Sequence, residues 1–516
     1  MKKKIIYLLL SCTLAQGFVA CDNVDFGDTN ENLNGPSVVY PAGLMSGAMM
    51  SFATTTGRSN LLVPTLLVQY QSQVTYTDEM LYAEAPYSWA EYYNNMLNSL
   101  NLVIKYNQNE ENHSPELLAQ GAYENQIGVA MIMKAIIMKR VTDTWGDVPY
   151  TEAFKGLENL TPEYDKQEDI YKSLISELKA GRDMLDATKA APIGDVIYNG
   201  NVNNWKKLAN SVLLQMTLQL SKKYPSPTGF AATEFKAALQ DGNGVIDEVA
   251  EEAWFTYDKN PAFNNPFTAN RAADYFLSGE FVDAMQGDAP ETSLNPTSNH
   301  TPDGRLAIFA VNTTREGVPY GFSDASGSGK NQMNKNYFWN TLASLPLMTA
   351  SYTYLNRAEG AALGWTAEVA ETMLQNGIVL SFETLEVHAL PSAMRITNST
   401  KEAEIAKVSA VSEKGPAYAA ARVADAATVS GGILQVIGEE KWKSLFPQGF
   451  DAWAEWRRTG YPVLTPAEDA VNSGAIPTRY LYPIEESTVN GTNIKTGIGT
   501  LSPADDKNDS KVWWDQ

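Results

Sequence analysis

The sequence predicts a mostly α-helical protein, and three observations support this. Segments with apolar residues spaced three and four apart recur along the chain, as on the buried face of a helix. They come in pairs of roughly 34 to 45 residues, a length typical of tetratricopeptide-like helix pairs, which need neighbours to bury their apolar faces. Apolar residues make up 44% of the 516-residue chain, enough for a large core. No clean repeat consensus is present.

The predicted helices follow from periodicity and from the glycines and prolines that end them. In one helix, Trp89, Tyr93, Met96, Leu100 and Val103 share a face. The predicted helices are Tyr40–Phe52, Tyr87–Tyr106, Pro115–Val141, Lys166–Leu185, Val202–Leu220, Leu347–Leu363, Trp365–Phe382 and Gly431–Phe446, followed by a short helix after Gly449.

Helical periodicity fades between about residues 256 and 340. This stretch is dense in asparagine, proline and glycine, with aromatic residues scattered through it. Irregular segments of this length inside a compact domain are usually functional. We therefore expect one domain over residues 39–516, in which a loop-rich insertion packs on a helical part.

The N-terminus predicts secretion and anchoring. Lys2, Lys3 and Lys4 precede an apolar run that is too short to span a bilayer, which is typical of a signal peptide over residues 1–20. Ala20 followed by Cys21 resembles the lipobox of bacterial lipoproteins, so Cys21 is the predicted lipidation site. The polar, acidic segment 21–38 is the predicted flexible tether.

The stretch Glu439–Pro462, EEKWKSLFPQGFDAWAEWRRTGYP, carries three tryptophans and the adjacent pair Arg457 and Arg458. We expect the rings to be core and the arginines to lie at a helix C-terminus, where cations are favoured. The stretch closely resembles the C-terminal signature of the SusD/RagB-like nutrient-binding lipoproteins, in the branch with the EWRRTGYP sequence. Four more stretches resemble the family in the same order: DTWGDVPY from Asp143, NWKKLANS from Asn204, NRAEGAALGW from Asn356, and IPTRYLYPIEESTVN from Ile476.

This resemblance implies four tetratricopeptide-like helix pairs that form a scaffold, with an irregular half packed on it. It also implies a cell-surface lipoprotein of the outer membrane that captures a nutrient, most often a glycan. The implied partner is a TonB-dependent SusC-like transporter, to which the ligand is delivered. The formal net charge of −21 does not favour nucleic-acid binding.

Catalytic motifs are scarce in the chain. The three histidines are widely separated, and neither HExxH nor CxxC occurs, so no metal or cofactor is expected. The carboxylate pairs Glu439–Glu440 and Glu485–Glu486 keep a surface-anchored glycoside hydrolase as an alternative. A helical-repeat assembly protein without a small-molecule ligand is another.

Aromatic density without a nucleophile or base suits binding, because sugar rings stack their C–H faces on aromatic side chains. Aromatic residues in irregular segments are better candidates than those on helix faces. The candidate ligand-binding residues are Tyr76, Tyr82, Tyr320, Phe322 and Trp339.

Overall fold

The computed structural model describes residues 39–55, 58–258, 260–289 and 292–516. The predicted signal peptide, Cys21 and the tether lie outside the described residues. Residues 41–516 form one compact unit. No helix in the described ranges has the length and apolar character needed to cross a membrane.

The described part of the chain is mostly α-helical, as the sequence predicts, and six short strands within it form three two-stranded antiparallel sheets. The α-helices are α1 Pro41–Thr54, α2 Val63–Leu67, α3 Asn98–Gln108, α4 Pro115–Leu118, α5 Tyr123–Trp145, α6 Gln167–Met184, α7 Val202–Gln219, α8 Phe230–Leu239, α9 Gly279–Gln286, α10 Leu306–Phe309, α11 Ala350–Ala362, α12 Ala370–Met394, α13 Lys401–Ser409, α14 Gly415–Asp425, α15 Gly432–Ser444, α16 Gly449–Thr459, α17 Ile484–Val489 and α18 Gly491–Ile498. The strands are β1 Gln71–Gln73, β2 Val148–Pro149, β3 Tyr164–Asp165, β4 Ala253–Phe255, β5 Tyr275–Leu277 and β6 Leu345–Met348.

The predicted helix pairs are present as packed neighbours. Helix α3 packs on α5, α6 on α7, α11 on α12, and α15 on α16, while α5–α6 and α11–α15 contacts join the pairs. A single apolar core runs through all of them, from Met45 in α1 to Trp514 near the C-terminus. The scaffold expected from the sequence is therefore confirmed.

Several helix boundaries differ from the prediction, and the reasons are local. The predicted helix Tyr87–Tyr106 begins late, with a π-helix over Tyr92–Leu97 before α3. Trp89 lies in a segment without regular secondary structure and packs edge-on against Trp145 at 5.6 Å, so tertiary packing overrides its helical spacing. Gly121, at φ +121°, separates α4 from α5 within the predicted helix Pro115–Val141.

The C-terminal part contains more helix than predicted. Helix α12 starts five residues late and continues to Met394 through Pro391 in its last turn. Helices α13 and α14 carry alanine-rich, weakly patterned sequences, and the sequence reasoning missed both. Between β4 and β6 the chain forms only short helices and the strand β5, which agrees with the predicted loss of helical periodicity.

Inside the core, Arg457 of the stretch Glu439–Pro462 contacts two of the other family-like stretches. Arg457 donates to the backbone oxygens of Asp143 at 2.7 Å and Thr478 at 2.8 Å. Its guanidinium lies over the rings of Trp453 at 3.9 Å and Trp514 at 4.7 Å. The prediction that the arginines lie at a helix C-terminus was therefore incomplete. Arg457 is buried, and it contacts three separate chain segments.

Arg458 is also buried, and its partners are carboxylates. It pairs with Glu359 of α11 and with Glu455 of its own helix. Lys441 donates to Glu359 at 2.6 Å and to Glu455 at 3.3 Å. The two cations hold the pKa of Glu359 down at about 2, although burial alone would raise it. This cluster fixes α16 against α11 and α15.

Candidate functional site

The sequence-predicted aromatic residues gather around the sheet formed by β1 and β5. The antiparallel register pairs Gln71 with Leu277 and Gln73 with Tyr275. A bridge between Ser278 and Val318 adds a third segment, and Ser72 Oγ donates to the Val318 backbone oxygen at 2.9 Å. The sheet thus brings together chain segments that are about 250 residues apart.

Tyr76 lies just beyond the end of β1 and is 63% exposed. Its backbone has φ +55°, a left-handed conformation that is uncommon for a residue with a Cβ and costs about 1–3 kcal/mol. The preceding chain is held in place because Val74 donates to the Asp274 backbone oxygen at 3.0 Å. An exposed aromatic ring kept in a costly backbone conformation is a strong candidate for contact with a ligand.

Phe322 is 39% exposed and follows a turn that other segments hold. Gly321 has φ +84°, and a Cβ there would lie 2.4 Å from Ala467 Cα. Ser323 donates through its backbone nitrogen and its hydroxyl to Asp469 at 2.7 Å in each case. The close approach of 467–469 therefore fixes the turn that carries the Phe322 ring.

Tyr82 and Tyr320 are buried and lie beneath this region. Their ring centroids are 6.5 Å apart. The Tyr320 hydroxyl donates to the Met80 backbone oxygen at 3.2 Å, and the Tyr82 hydroxyl accepts from the Ala467 backbone nitrogen at 3.0 Å. Burial raises the pKa of Tyr82 to about 12. In this structure the two rings support the Tyr76 and Phe322 segments and are not accessible themselves.

Trp339 is half-buried and lies against the other side of β5. Its ring is 5.9 Å from Tyr275 and 5.2 Å from Phe267, and its Nε1 donates to the Asn270 backbone oxygen at 3.3 Å. Its indole N–H is already used, so only its exposed edge is available to a ligand.

Phe276 is a residue that the sequence reasoning did not select. In β5, Tyr275 and Leu277 are buried while Phe276, between them, is partly exposed, as strand alternation requires. A Cβ at position 327 would lie 2.3 Å from Phe276 Cζ, so Gly327 allows that loop to cross the ring. Tyr275, Phe276 and Leu277 are all apolar, so the sequence carried no signal of which ring is exposed. We call Tyr76, Phe276 and Phe322 the aromatic surface; Trp339 lies on the opposite side of β5, against Tyr275.

One carboxyl group near the aromatic surface has a raised pKa. Glu280, at the start of α9, accepts from the Tyr320 backbone nitrogen at 3.2 and 3.3 Å. Burial raises the pKa of Glu280 to about 7, against the opposing effect of these hydrogen bonds. In the described part of the chain, no three His, Cys, Asp or Glu side chains cluster closely enough to hold a metal ion.

Neither carboxylate pair singled out in the sequence lies at the aromatic surface. Glu439 and Glu440 are fully buried and both accept from Arg422, at 2.6 and 2.9 Å. Glu485 is exposed, and Glu486 accepts from the Tyr164 hydroxyl at 2.7 Å. The buried pair is part of the core, while the second pair lies at a separate cleft described below.

The fold and the site together define a helical-repeat scaffold that carries an irregular half with exposed aromatic rings. Residues 33–483 match the sequence profile of the SusD-like family described as "Starch-binding associating with outer membrane". The chain belongs to this SusD-like family. A comparison with curated proteins gives no significant match.

Solved structures agree with this assignment. A chitin-binding protein has 25% sequence identity and a TM-score of 0.72, covering 92% of this chain and 100% of that one. A SusD homologue from Bacteroides fragilis has 22% identity and a TM-score of 0.70, covering 93% and 99%. A chitin-binding SusD homologue from Flavobacterium johnsoniae has 21% identity and a TM-score of 0.69, covering 92% and 98%. The overall fold is that of SusD homologues.

Proposed function

We propose that this protein binds a nutrient glycan at its aromatic surface. The observation that carries the proposal is Tyr76, an aromatic ring that is 63% exposed and held at φ +55° at the end of β1. Aromatic faces stack on the apolar C–H faces of sugar rings. The chitin-binding relatives make a β-linked aminoglycan the first ligand to test.

We propose further that the protein is a lipoprotein of the outer membrane that faces the cell exterior. The family description associates its members with the outer membrane. Acylation of Cys21 would supply the anchor, and the acidic segment after it would serve as the tether. Stable anchoring of this kind needs more than one acyl chain, each contributing about 0.8 kcal/mol per buried CH2.

The proposed partner is a TonB-dependent SusC-like transporter. A surface-bound protein needs a second protein to move its ligand across the membrane, and the family resemblance names this one. Helical-repeat scaffolds offer the extended surface that such a contact needs. Gentle detergent extraction should recover the two proteins together, whereas repeated recovery of this protein alone would favour a free-standing binder.

A binding role is favoured over hydrolysis. Of the two carboxylate pairs, Glu439 and Glu440 are buried in ion pairs with arginines. Glycosidases need two carboxyl groups facing each other across the scissile bond, about 5 to 9.5 Å apart. Glu280, near the aromatic surface, has its oxygens turned to the backbone of Tyr320, and Asp469 accepts from Ser323.

The test uses purified protein and two oligosaccharide series, one from chitin and one from starch. Calorimetric titration measures the Kd, and a reducing-end assay of the same mixtures over hours measures turnover. Tyr76→Ala and Phe322→Ala should each weaken binding by up to about tenfold, the equivalent of about 1.4 kcal/mol. Tyr40→Ala is the matched control, because Tyr40 is 56% exposed at the start of α1.

The outcomes separate the proposal from its alternatives. Binding without new reducing ends, weakened in the two aromatic variants and unchanged in Tyr40→Ala, supports the proposal. Steady release of reducing ends would establish the hydrolase instead. The absence of saturable binding to either series, in a protein that still melts cooperatively, would favour an assembly protein.

A further inference from the structure

A second cleft opens on the helical scaffold and shares no residue with the aromatic surface. Its volume is about 580 Å3, within the usual range for small-ligand sites. It lies between the π-helix Tyr92–Leu97, the loop after β2 and the start of α17. Two stretches of the family resemblance border it, DTWGDVPY and IPTRYLYPIEESTVN, and the function proposed above does not involve either.

The floor and wall of this cleft are aromatic. The Trp89 and Tyr93 ring centroids are 5.8 Å apart, and Tyr93 and Phe154 are 5.9 Å apart. The Tyr93 hydroxyl donates to the Pro149 backbone oxygen at 2.6 Å, which fixes that ring. Trp89 is almost fully buried and supports the other two, whereas Tyr93 and Phe154 are partly exposed. The cleft therefore presents two preoriented rings.

Two backbone features at the cleft are uncommon. Phe154 has φ +64°, a left-handed conformation with a cost of about 1–3 kcal/mol for a residue with a Cβ. Tyr93 belongs to a six-residue π-helix, a rare form that occurs frequently at functional sites. Both features present a ring that lines the same cleft.

The polar lining is acidic. Glu152, Glu485 and Glu486 line the cleft with one cation, Lys155, so the lining carries 1 − 3 = −2 charges. Glu152 is orientated by Asn159, whose Nδ2 donates to it at 2.8 Å, and Lys155 Nζ lies 3.6 Å away. Hydrogen bonds hold the pKa of Glu152 below its usual value, so it is ionised at neutral pH. Glu485 is exposed at the rim.

We propose that this cleft is a second saccharide site and that its ligand is an amino sugar in the ammonium form. The C–H face of the sugar ring stacks on Phe154 and Tyr93, and the ammonium group lies between the Glu152 and Glu485 carboxylates. The acidic lining attracts a cation and repels a carboxylate. The cleft should therefore prefer the free-amine sugar to the N-acetylated one, and both to a sugar that carries a uronic acid. Because the two sites share no residue, this inference does not depend on the function proposed for the aromatic surface.

The test uses the full-length protein in mild detergent and three probes of similar size. These are the β1,4-linked disaccharide of glucosamine, its N-acetylated counterpart and a disaccharide that carries a uronic acid. Ligand-observed NMR measures each Kd. The free-amine probe should bind at least about fivefold more tightly than the N-acetylated one, and the acidic probe should bind most weakly. Added salt should reduce the difference, because exposed charges are screened.

Four variants test whether the preference for the amine arises at this cleft. Glu485→Gln should remove most of the preference for the amine, and Lys155→Glu should increase it; both positions are exposed, so the fold should be unaffected. Phe154→Ala should weaken all probes together. Tyr40→Ala, which lies outside both sites and is 56% exposed, should leave the amine preference unchanged.

Equal affinity for the amine and its N-acetylated form would overturn the proposal, as would a preference that Glu485→Gln leaves intact. So would the absence of saturable binding at about 10 mM, where a ligand with a Kd of about 1 mM would fill most sites. In that last case the exposed Leu157 and Leu160 beside the cleft, at 92% and 71%, would point to a protein contact instead.

Discussion

Removing one buried charge, with the substitution Glu440→Gln, should destabilise the protein strongly. Glu440 accepts from Arg305 at 2.8 Å, Arg422 at 2.9 Å and the Tyr418 hydroxyl at 2.7 Å, and Lys443 lies 3.5 Å away. These cations keep the pKa of Glu440 far below its usual value despite complete burial. Glutamine keeps the shape of the side chain but removes the charge and turns an N–H toward groups that are already donors.

The expected magnitude follows from the burial of every partner. Arg305, Arg422 and Lys443 are fully buried, and loss of one partner from a buried ion pair costs about 3–5 kcal/mol. Unfolding entropy is about 2.1 cal/mol/K per residue, or about 1 kcal/mol/K for a unit of 476 residues (41–516). The melting temperature should therefore fall by about 3–5 °C.

The assay is thermal unfolding followed by circular dichroism, with urea unfolding as a second measure. Glu316→Gln is the matched control, because Glu316 pairs with Lys330 at 2.6 Å but its side chain is 80% exposed. Exposed pairs contribute little to stability, so this variant should melt with the wild type. A Glu440→Gln protein that melted within about 1 °C of the control would refute the reasoning that the buried charges are mutually dependent.

Burial lowers the pKa of Lys443 to about 8. The free energy of unfolding of the wild type should therefore rise with pH between about 8 and 10.5. Lys443→Met should lack this rise, which the difference between the two urea midpoints measures. Burial raises the pKa of Glu280 to about 7, so its effect has the opposite sign. The free energy of unfolding should fall as pH rises from about 4.5 to 7, and in Glu280→Gln it should change less over that range. Gly449→Ala should lower the melting temperature, since its Cβ would lie 2.6 Å from a backbone nitrogen of α2, while Gly242→Ala, with open space around it, should not. Cys21→Ala should release the protein from carbonate-washed membranes; a variant that stays bound would contradict the lipid anchor.

The helical scaffold was predictable because its signal is local. Spacings such as Trp89 to Val103 report a buried face, and glycines such as Gly146 mark helix ends without knowledge of the rest of the fold. The same reasoning placed Trp89 inside a helix, although it lies just before the helix and contacts Trp145 and Tyr482. Those contacts join residues that are far apart in the sequence, and spacing alone cannot reveal them.

The candidate site was predictable only in part, because exposure is a property of the assembled fold. Tyr76 and Tyr82 lie six residues apart in the same irregular stretch, and both have positive φ, yet one is 63% exposed and the other 1%. The difference arises because Tyr82 meets Ala467, which is nearly 400 residues later in the chain. Phe276 was missed for the related reason that a three-residue strand is too short to show its alternation clearly.

Most of the residues that make the family recognisable lie in the core, with their polar atoms hydrogen-bonded. Arg457 and Arg458 each satisfy buried oxygens, Trp453 donates to the Pro477 backbone oxygen at 2.8 Å, and Asp143 accepts from Trp514 at 3.0 Å. A side chain that is buried with its polar atoms paired has nothing left to offer a ligand. If the aromatic surface binds the glycan as proposed, ligand choice there would come from segments that carry no signature, such as the stretch after β1 and the turn at Phe322. It follows that two members with the same signature can bind different glycans, and that exchanging those two segments between members should move the preference while the melting temperature stays nearly constant.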